Sequence, residues 1–543
     1  MRWLLATGLI LPGLVLLTLA ASSSQLEDRT PASGISFVLH NSATPEKHQI
    51  ETMVGGVAIL DYDNDGYPDI FFTNGARQPS LEKARPGDCN RLYRNRGDWT
   101  FEDVTEKAGV CGEGFSIGVA AGDFDNDGYT DIYVAGVNRN ILYRNRGDGT
   151  FEDVTAKAGV GNRGRWAVAA GWFDYDNDGR LDLFVVNYVK WDPAKEPFCG
   201  DPRGAYRTYC HPRFYEGLPN ILYRNNGDGT FTDVSVSSGI ARHAGKGMGL
   251  AFGDYDGDGR IDVFVANDTV PDFLFHSNGD GTFRETAFPA GVAMNDDGHA
   301  LSSMGVDLRD IDNDGRPDLF ITALANETFP YYRNLGKGLF TDVTYQSRVG
   351  SATLALSGWG AGIFDFDNDG RKDLFAACGD VQDNTELFSS RKSRQPNLLL
   401  LNRGDGTFAP DAIGPPATHR GAAFADFDRD GRVDVVITRI GDRPLLLRNT
   451  MGSGRHWIGL KLEGVRSNHD AIGARVHIVT ASGEQWNHVT TSVGYASSSQ
   501  REVHFGLGKD DYVKLIEILW PSGALQRIEN SAADRYLTVK ERE

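Results

Sequence analysis

Nine residues beginning at Asp61, DYDNDGYPD, return six more times along the chain. That repetition limits the possible folds more than any local propensity does. The copies are DFDNDGYTD from Asp123, DYDNDGRLD from Asp174, DYDGDGRID from Asp254, DIDNDGRPD from Asp310, DFDNDGRKD from Asp365 and DFDRDGRVD from Asp426. Their starts lie 51 to 80 residues apart. A short apolar segment precedes each copy, as WAVAAGWF precedes Asp174, and a strand-like segment such as LDLFVVN follows. Two further strands joined by a tight turn complete the unit, as in NILYRNRGDGTFEDVT from Asn140 and NILYRNNGDGTFTDVS from Asn220.

Each unit therefore predicts four short strands, with the aspartate loop joining the first two. Four-stranded units repeated radially make the blades of a β-propeller. The expected fold is all-β: a seven-bladed β-propeller over residues 30–452, followed by a small β domain over residues 453–540. The longest interval is explained by an insertion, 188–219, that carries Cys199, Cys210 and the aromatics Trp191, Tyr206, Tyr209, Phe214 and Tyr215. It is either a binding excursion or a disulfide-held cap. The last unit lacks a fourth strand, and the segment GISFVLHN near the N-terminus has no loop of its own. Ile35 to His40 is therefore expected to supply the missing outer strand and protect the open edge.

The loops carry the chemistry. Oxygen ligands at alternate positions with a glycine at the sixth suit a hard cation in a tight turn. Positions one, three, five and nine are aspartate throughout: Asp61, Asp63, Asp65, Asp69; Asp123, Asp125, Asp127, Asp131; Asp174, Asp176, Asp178, Asp182; Asp254, Asp256, Asp258, Asp262. The remaining copies supply Asp310, Asp312, Asp314, Asp318; Asp365, Asp367, Asp369, Asp373; and Asp426, Asp428, Asp430, Asp434. The main-chain carbonyl at position seven adds a ligand from Tyr67, Tyr129, Arg180, Arg260, Arg316, Arg371 or Arg432. Calcium fits this all-oxygen set better than magnesium, which demands a tighter shell, or softer metals, which prefer His and Cys. About seven structural calcium ions are expected. They would add fourteen positive charges to a formal net charge of −19, bringing it to −5.

The negative charge argues against nucleic acid as a partner. The start, MRWLLATGLILPGLVLLTLAASSSQ, has the pattern of a secretory signal peptide over residues 1–21, or else of an uncleaved anchor. No span is expected after signal removal, and the location is secreted, extracellular or periplasmic. An oxidising compartment permits disulfides, with Cys199–Cys210 favoured, Cys89–Cys111 a second pair and Cys378 left as a buried thiol. Asp148, Asp228, Asp280 and Asp405 belong to hairpin turns. The Arg-Gly-Asp triplets at 96–98, 146–148 and 403–405 fall in such turns, which explains them without an adhesion role.

The loops, with VAAG before Asp123 and IYVAG after Asp131, resemble the FG-GAP or VCBS repeats of integrin alpha-chain propellers, where such loops bind calcium. Farther on, HWIGLKLEG, IGARVHIVT, REVHFGLG, KLIEILWPSG and GYASSSQ look like an ASPIC/UnbV domain. The combination resembles the family of cartilage acidic proteins and their secreted bacterial relatives. A bacterial type is expected, because the animal members carry a further EGF-like module. The resemblance implies an extracellular scaffold that binds a protein or glycan. The alternative is an enzyme acting on a polysaccharide or other substrate through an axial pocket. HExxH does not occur, and no catalytic residue is assigned. His211, His243, His299, His419, His456, His469, His488 and His504 are scattered; Asp296, Asp297, His299 and Ser302 could gather, though an inter-blade connection is the simpler expectation.

Overall fold

A computed structural model describes residues 25–162 and 164–543. The expected signal peptide lies outside them. Seven antiparallel four-stranded sheets follow one another, so the repeat region has a β-propeller-like architecture. The first sheet is Val57–Leu60, Asp69–Phe72, Arg91–Asn95 and Phe101–Asp103. In each sheet the aspartate loop links the first strand to the second, and the ninth loop residue opens that second strand. The first strands are buried almost throughout, and most are apolar on both faces, as Phe115–Gly122 and Gly247–Gly253 show. Two-sided burial is what strands between packed sheets require.

Each first strand packs on the next, and His419–Ala425 of the seventh sheet packs on Val57–Leu60 of the first. Glycine permits these approaches. A Cβ on Gly118 would lie 2.1 Å from the Val168 carbonyl oxygen, and one on Gly421 would lie 2.2 Å from that of Gly55. Apolar clusters fill the wedges between neighbours, such as Phe71, Leu92, Val119 and Ile132 between the first and second sheets.

The seventh sheet does borrow its outer strand from the N-terminus, but from other residues than expected. Leu26–Asp28 pairs antiparallel with Leu445–Asn449. The segment expected in that place makes a single bridge, Leu39 to Ile440. Its alternation is real: Ile35, Phe37 and Leu39 are buried. They face a seam instead of a ladder, because the backbone there bonds to the first sheet (Gly75 N–H to the His40 carbonyl, 3.1 Å) and to Arg443. Period-two burial identifies an extended buried segment and leaves its partner open.

Disulfides join Cys89 to Cys111 and Cys199 to Cys210, and Cys378 is a buried thiol. The C-terminal region forms two sheets. His456–Glu463 lies between Val503–Gly508 and Arg535–Lys540. The second places Arg475–Val479 between Glu484–His488 and Tyr512–Leu519, with Leu525–Ala532 at the edge. Val476, Ile478, Ile516, Ile518 and Trp520 are buried in their shared core.

One connection of this region was not foreseen. Residues 490–500 enter the space bounded by the seven first strands and touch all of them. Ser498 bridges Ala58, Tyr495 bridges Gly249 and Gly494 bridges Val306. Val119 N–H donates to the Ala496 carbonyl (3.1 Å), and Gln500 N–H donates to that of Phe424 (3.0 Å). Glycines at 171 and 494 leave room against Ser492 and Ala361. Small side chains in GYASSSQ make this passage possible.

Candidate metal centres

The seven loops share one hydrogen-bond scheme. The position-one carboxylate accepts from the glycine N–H at position six, as Asp61 does from Gly66 and Asp426 from Gly431, at 2.7–3.0 Å. Position five accepts from the N–H of position seven at 2.9–3.1 Å. Both bonds curl the loop around its own carboxylates. The glycine adopts a positive φ, +92° at Gly66, that other residues resist.

Position nine has a distinct role. Asp69, Asp131, Asp182, Asp262, Asp318, Asp373 and Asp434 are essentially inaccessible. One oxygen of each accepts from the N–H at position two, at 2.9–3.3 Å. The other accepts from the third strand, at 2.7–2.8 Å. This residue fastens loop, second strand and third strand together while keeping lone pairs for an ion.

Position three is where the donor set is incomplete. The Oδ1 atoms of Asp63, Asp125, Asp176 and Asp428 are buried and have no hydrogen-bond partner, as has that of Asp61. Such atoms are costly without a counter-charge. Oxygens of Asp61, Asp63 and Asp65 lie within 4.8 Å of one another, as do those of Asp123, Asp125 and Asp127, and of Asp174, Asp176 and Asp182. In the fourth loop Asp256 and Asp262 gather with His276. These clusters can hold a metal ion, and their oxygen chemistry is that of a hard cation.

Burial pushes the first-position carboxyls upward, Asp61 to about 6 and Asp174, Asp365 and Asp426 to about 7. The ninth-position carboxyls rise well above the ordinary range for the same reason. Partial relief comes from arginines on the third strands: Arg94 lies 2.6 Å from Asp63, Arg224 3.0 Å from Asp176 and Arg448 2.8 Å from Asp428. Arg180, Arg260, Arg316, Arg371 and Arg432, whose carbonyls are the expected ligands, also turn their guanidinium groups onto the position-five carboxylates. Tyr67 and Tyr129 instead cover the turns at Gly97 and Gly147. Asp148, Asp228, Asp280 and Asp405 bond to the threonine two residues on, as hairpin-turn residues do.

Position four was overlooked in the sequence. Asn64 donates to the Gly128 carbonyl of the second loop, and Asn126 to Gly179 of the third, both at 2.9 Å. Asn313 and Asn368 repeat this toward Gly370 and Gly431 at 2.9 Å. Arg429 carries it from the seventh loop to Gly66 of the first. The signal was present: asparagine fills this position in five of the seven copies. Asparagine also tolerates the positive φ required there. A parallel series runs from the third strands, where Asn145 bonds the Tyr62 carbonyl of the preceding sheet and Asn95 that of Phe427.

The C-terminal region sits on these loops. His469 Nδ1 lies 3.0 Å from Asp123, Arg475 3.1 Å from Asp254, and the Tyr536 hydroxyl donates to Asp426 at 2.8 Å. His488 and His504 face carbonyls of Phe252 and Gly431. His419 is buried against the Cys378 carbonyl. Asp296, Asp297 and His299 line an open cleft of about 580 Å³. Ser302 does not join them; it bonds Glu327. Among the described residues no helix is long and apolar enough to cross a membrane.

The chain is similar to known proteins. The FG-GAP-like repeat model matches residues 61–134, 123–185, 215–265, 254–321, 310–376 and 383–437. The ASPIC and UnbV model matches 464–543. Cartilage acidic protein 1 of Mus musculus is 27% identical over 95% of this chain and 77% of its own length. The Homo sapiens protein is 27% identical over 87% of this chain and 69% of its own. Among solved structures, an Agrocybe aegerita lectin described for recognition of non-reducing terminal N-acetylglucosamine aligns with a TM-score of 0.39 and 17% identity, over 72% of this chain and 87% of that one. By the repeat units and the C-terminal match together, the chain belongs to the family of FG-GAP-like repeat proteins that carry an ASPIC and UnbV domain.

Proposed function

We propose that this chain is a secreted, calcium-stabilised scaffold that binds an extracellular protein or glycan. Its seven sheets would close into a seven-bladed propeller over residues 30–452, extended to Leu26 by the borrowed strand. An ASPIC/UnbV domain over 453–540 would seat on the loop face. The observation that carries the reading is the sevenfold carboxylate loop with its recurring unpartnered oxygen at position three. Asp61, Asp63, Asp65 and their counterparts would hold the ions, with position seven adding its carbonyl. Bound calcium would supply the positive charge that keeps these carboxylates ionised and the hairpins closed. Homology to cartilage acidic protein 1 supports an extracellular location. The bacterial affiliation is proposed with it, on the resemblance alone.

Residues 490–500 occupy the space on the loop side that an axial enzyme pocket would need, which weighs against the enzymatic alternative. The insertion is clasped: Gln382 bonds both the N–H and the carbonyl of Tyr209, and Asn384 bonds the Arg207 carbonyl. That supports the cap over the binding excursion. Metal analysis of the purified protein, with calcium titration followed by melting temperature, tests the proposal. About seven bound ions and a strong stabilisation are expected. Metal-free protein of unchanged stability would sink it.

A further inference from the structure

The end of the sheets remote from the aspartate loops holds a cavity of about 290 Å³. Its walls come from segments that precede first strands or follow second strands: Gln49, Asp268, Ser302, Glu327 and Asp380. The disulfide-closed insertion, through Tyr209 to Pro212, forms one side. Tyr495, at the tip of the inserted segment, packs edge-on against Trp359 of the lining with ring centroids 5.0 Å apart.

Three lining residues are more than nine-tenths buried and carry an oxygen without a partner: Gln49 Oε1, Asp268 Oδ1 and Asp380 Oδ2. The hydroxyl of Thr269 is a fourth unpartnered oxygen. Their neighbouring atoms are satisfied. Asp268 Oδ2 accepts from the Tyr188 hydroxyl at 2.7 Å, and Asp380 Oδ1 accepts from Gln382 N–H at 3.0 Å. Glu327 is occupied by Ser302. Arg391 Nε stays 3.8 Å from the Asp380 carboxylate, Arg420 donates to the Asp380 main-chain carbonyl at 3.2 Å, and Lys246 acts on Asp268 from outside the lining. The lining itself carries three carboxylates against one guanidinium, that of Arg391. Three of the four unmet atoms can only accept hydrogen bonds. The volume is far more than a bare ion needs, a water taking roughly 30 Å³. Met53, Met304 and Leu324 provide an apolar wall for a carbon skeleton.

We propose that this cavity binds a small organic ligand through a primary ammonium group, which donates to Asp268, Asp380 and Gln49. An ammonium brings three donors and the charge that the carboxylates lack. The site is separate from the carboxylate loops and goes beyond the scaffold reading, because it assigns a ligand class to a place. The amine could be carried on an alkyl chain or on a sugar.

Calorimetry on the full, calcium-saturated chain would distinguish these, with cadaverine and glucosamine as probes and pentanediol and glucose as uncharged counterparts. Binding of one amine and of neither counterpart is expected, and the amine that binds identifies the carrier. Asp268→Asn and Asp380→Asn should each weaken it by about tenfold or more, the loss of one charge-assisted hydrogen bond. Asp297→Asn, in the open cleft, should not. Asp380→Asn leaves the Tyr188 contact intact, so a folding defect at Asp268 cannot obscure the answer. The proposal is overturned if neither amine binds at millimolar concentration. It is equally overturned if the uncharged compounds bind as well, or if both variants retain full affinity. Such a failure leaves the calcium proposal standing, since chelation tests that separately.

Discussion

The two ends of the sheets are built on opposite plans. At the loop end, one nine-residue design recurs seven times, and the same atoms meet the same partners in sheet after sheet. At the other end the connections differ: an insertion with a disulfide, the strained turn at Thr269, the clasp at Gln382. Repetition serves cohesion, because each copy solves the same problem of joining a hairpin to its neighbour. A feature that occurs once serves no such repeated need, so recognition is better sought there.

The largest test of this contrast is removal of calcium. Chelation should lower the melting temperature by at least about 10 °C, since each saturated site contributes roughly 2–3 kcal/mol. It should leave the disulfide-closed insertion covalently intact. Next comes deletion of residues 25–41, which removes a sheet edge and buried Ile35, Phe37 and Leu39. At about 1.5–3 kcal/mol per buried side chain, the loss should reach roughly 5 kcal/mol or more by denaturant unfolding. A smaller effect sharpens the division of labour inside a loop. Asp131→Ala should cost about 3 kcal/mol even without calcium, because it strands two buried N–H groups, and more with calcium, because a ligand is lost as well. Asp125→Asn should destabilise only the calcium-loaded form.

Acidity gives a test of sign. Without metal, Asp61, Asp174, Asp365 and Asp426 have carboxyls raised by burial to about 6 or 7. The folded chain then binds more protons than the unfolded one between about pH 4 and 7. Metal-free protein should therefore lose stability as pH rises through that window. Calcium-loaded protein should gain it, because acid competes with the ion. Parallel slopes in melting curves across this range would contradict metal binding at these carboxylates. Smallest of all, Asn64→Ala should cost about 1 kcal/mol, one loop-to-loop hydrogen bond.

Much of the loop end was legible in the sequence, because repetition turns weak local signals into aligned ones. Four aspartates and a glycine at fixed offsets marked both the hairpin and the clustering of its carboxylates. Asn64 and its counterparts were equally visible, yet their role depends on the neighbouring loop and not on their own. The borrowed strand was half legible: a missing outer strand implied a donor, but Leu26–Asp28 is too short to stand out beside the longer alternation of Ile35, Phe37 and Leu39. Residues 490–500 could not be placed from pattern. A run of Ser, Ala and Gly looks like any loop until its surroundings are known. The cavity was hidden for a related reason. Gln49, Asp268 and Asp380 lie far apart along the chain, and nothing local to any of them marks the others.

The borrowed strand and the inserted segment also set an order of events during synthesis. Leu26–Asp28 has no partner until Leu445–Asn449 has emerged, and the middle of the assembly stays unfilled until the stretch after Thr490 arrives. Contacts this distant make folding slow and leave edges exposed in the meantime. Export before completion would keep the growing chain from pairing wrongly, and a nascent chain halted short of its last fifty or so residues would be left hollow.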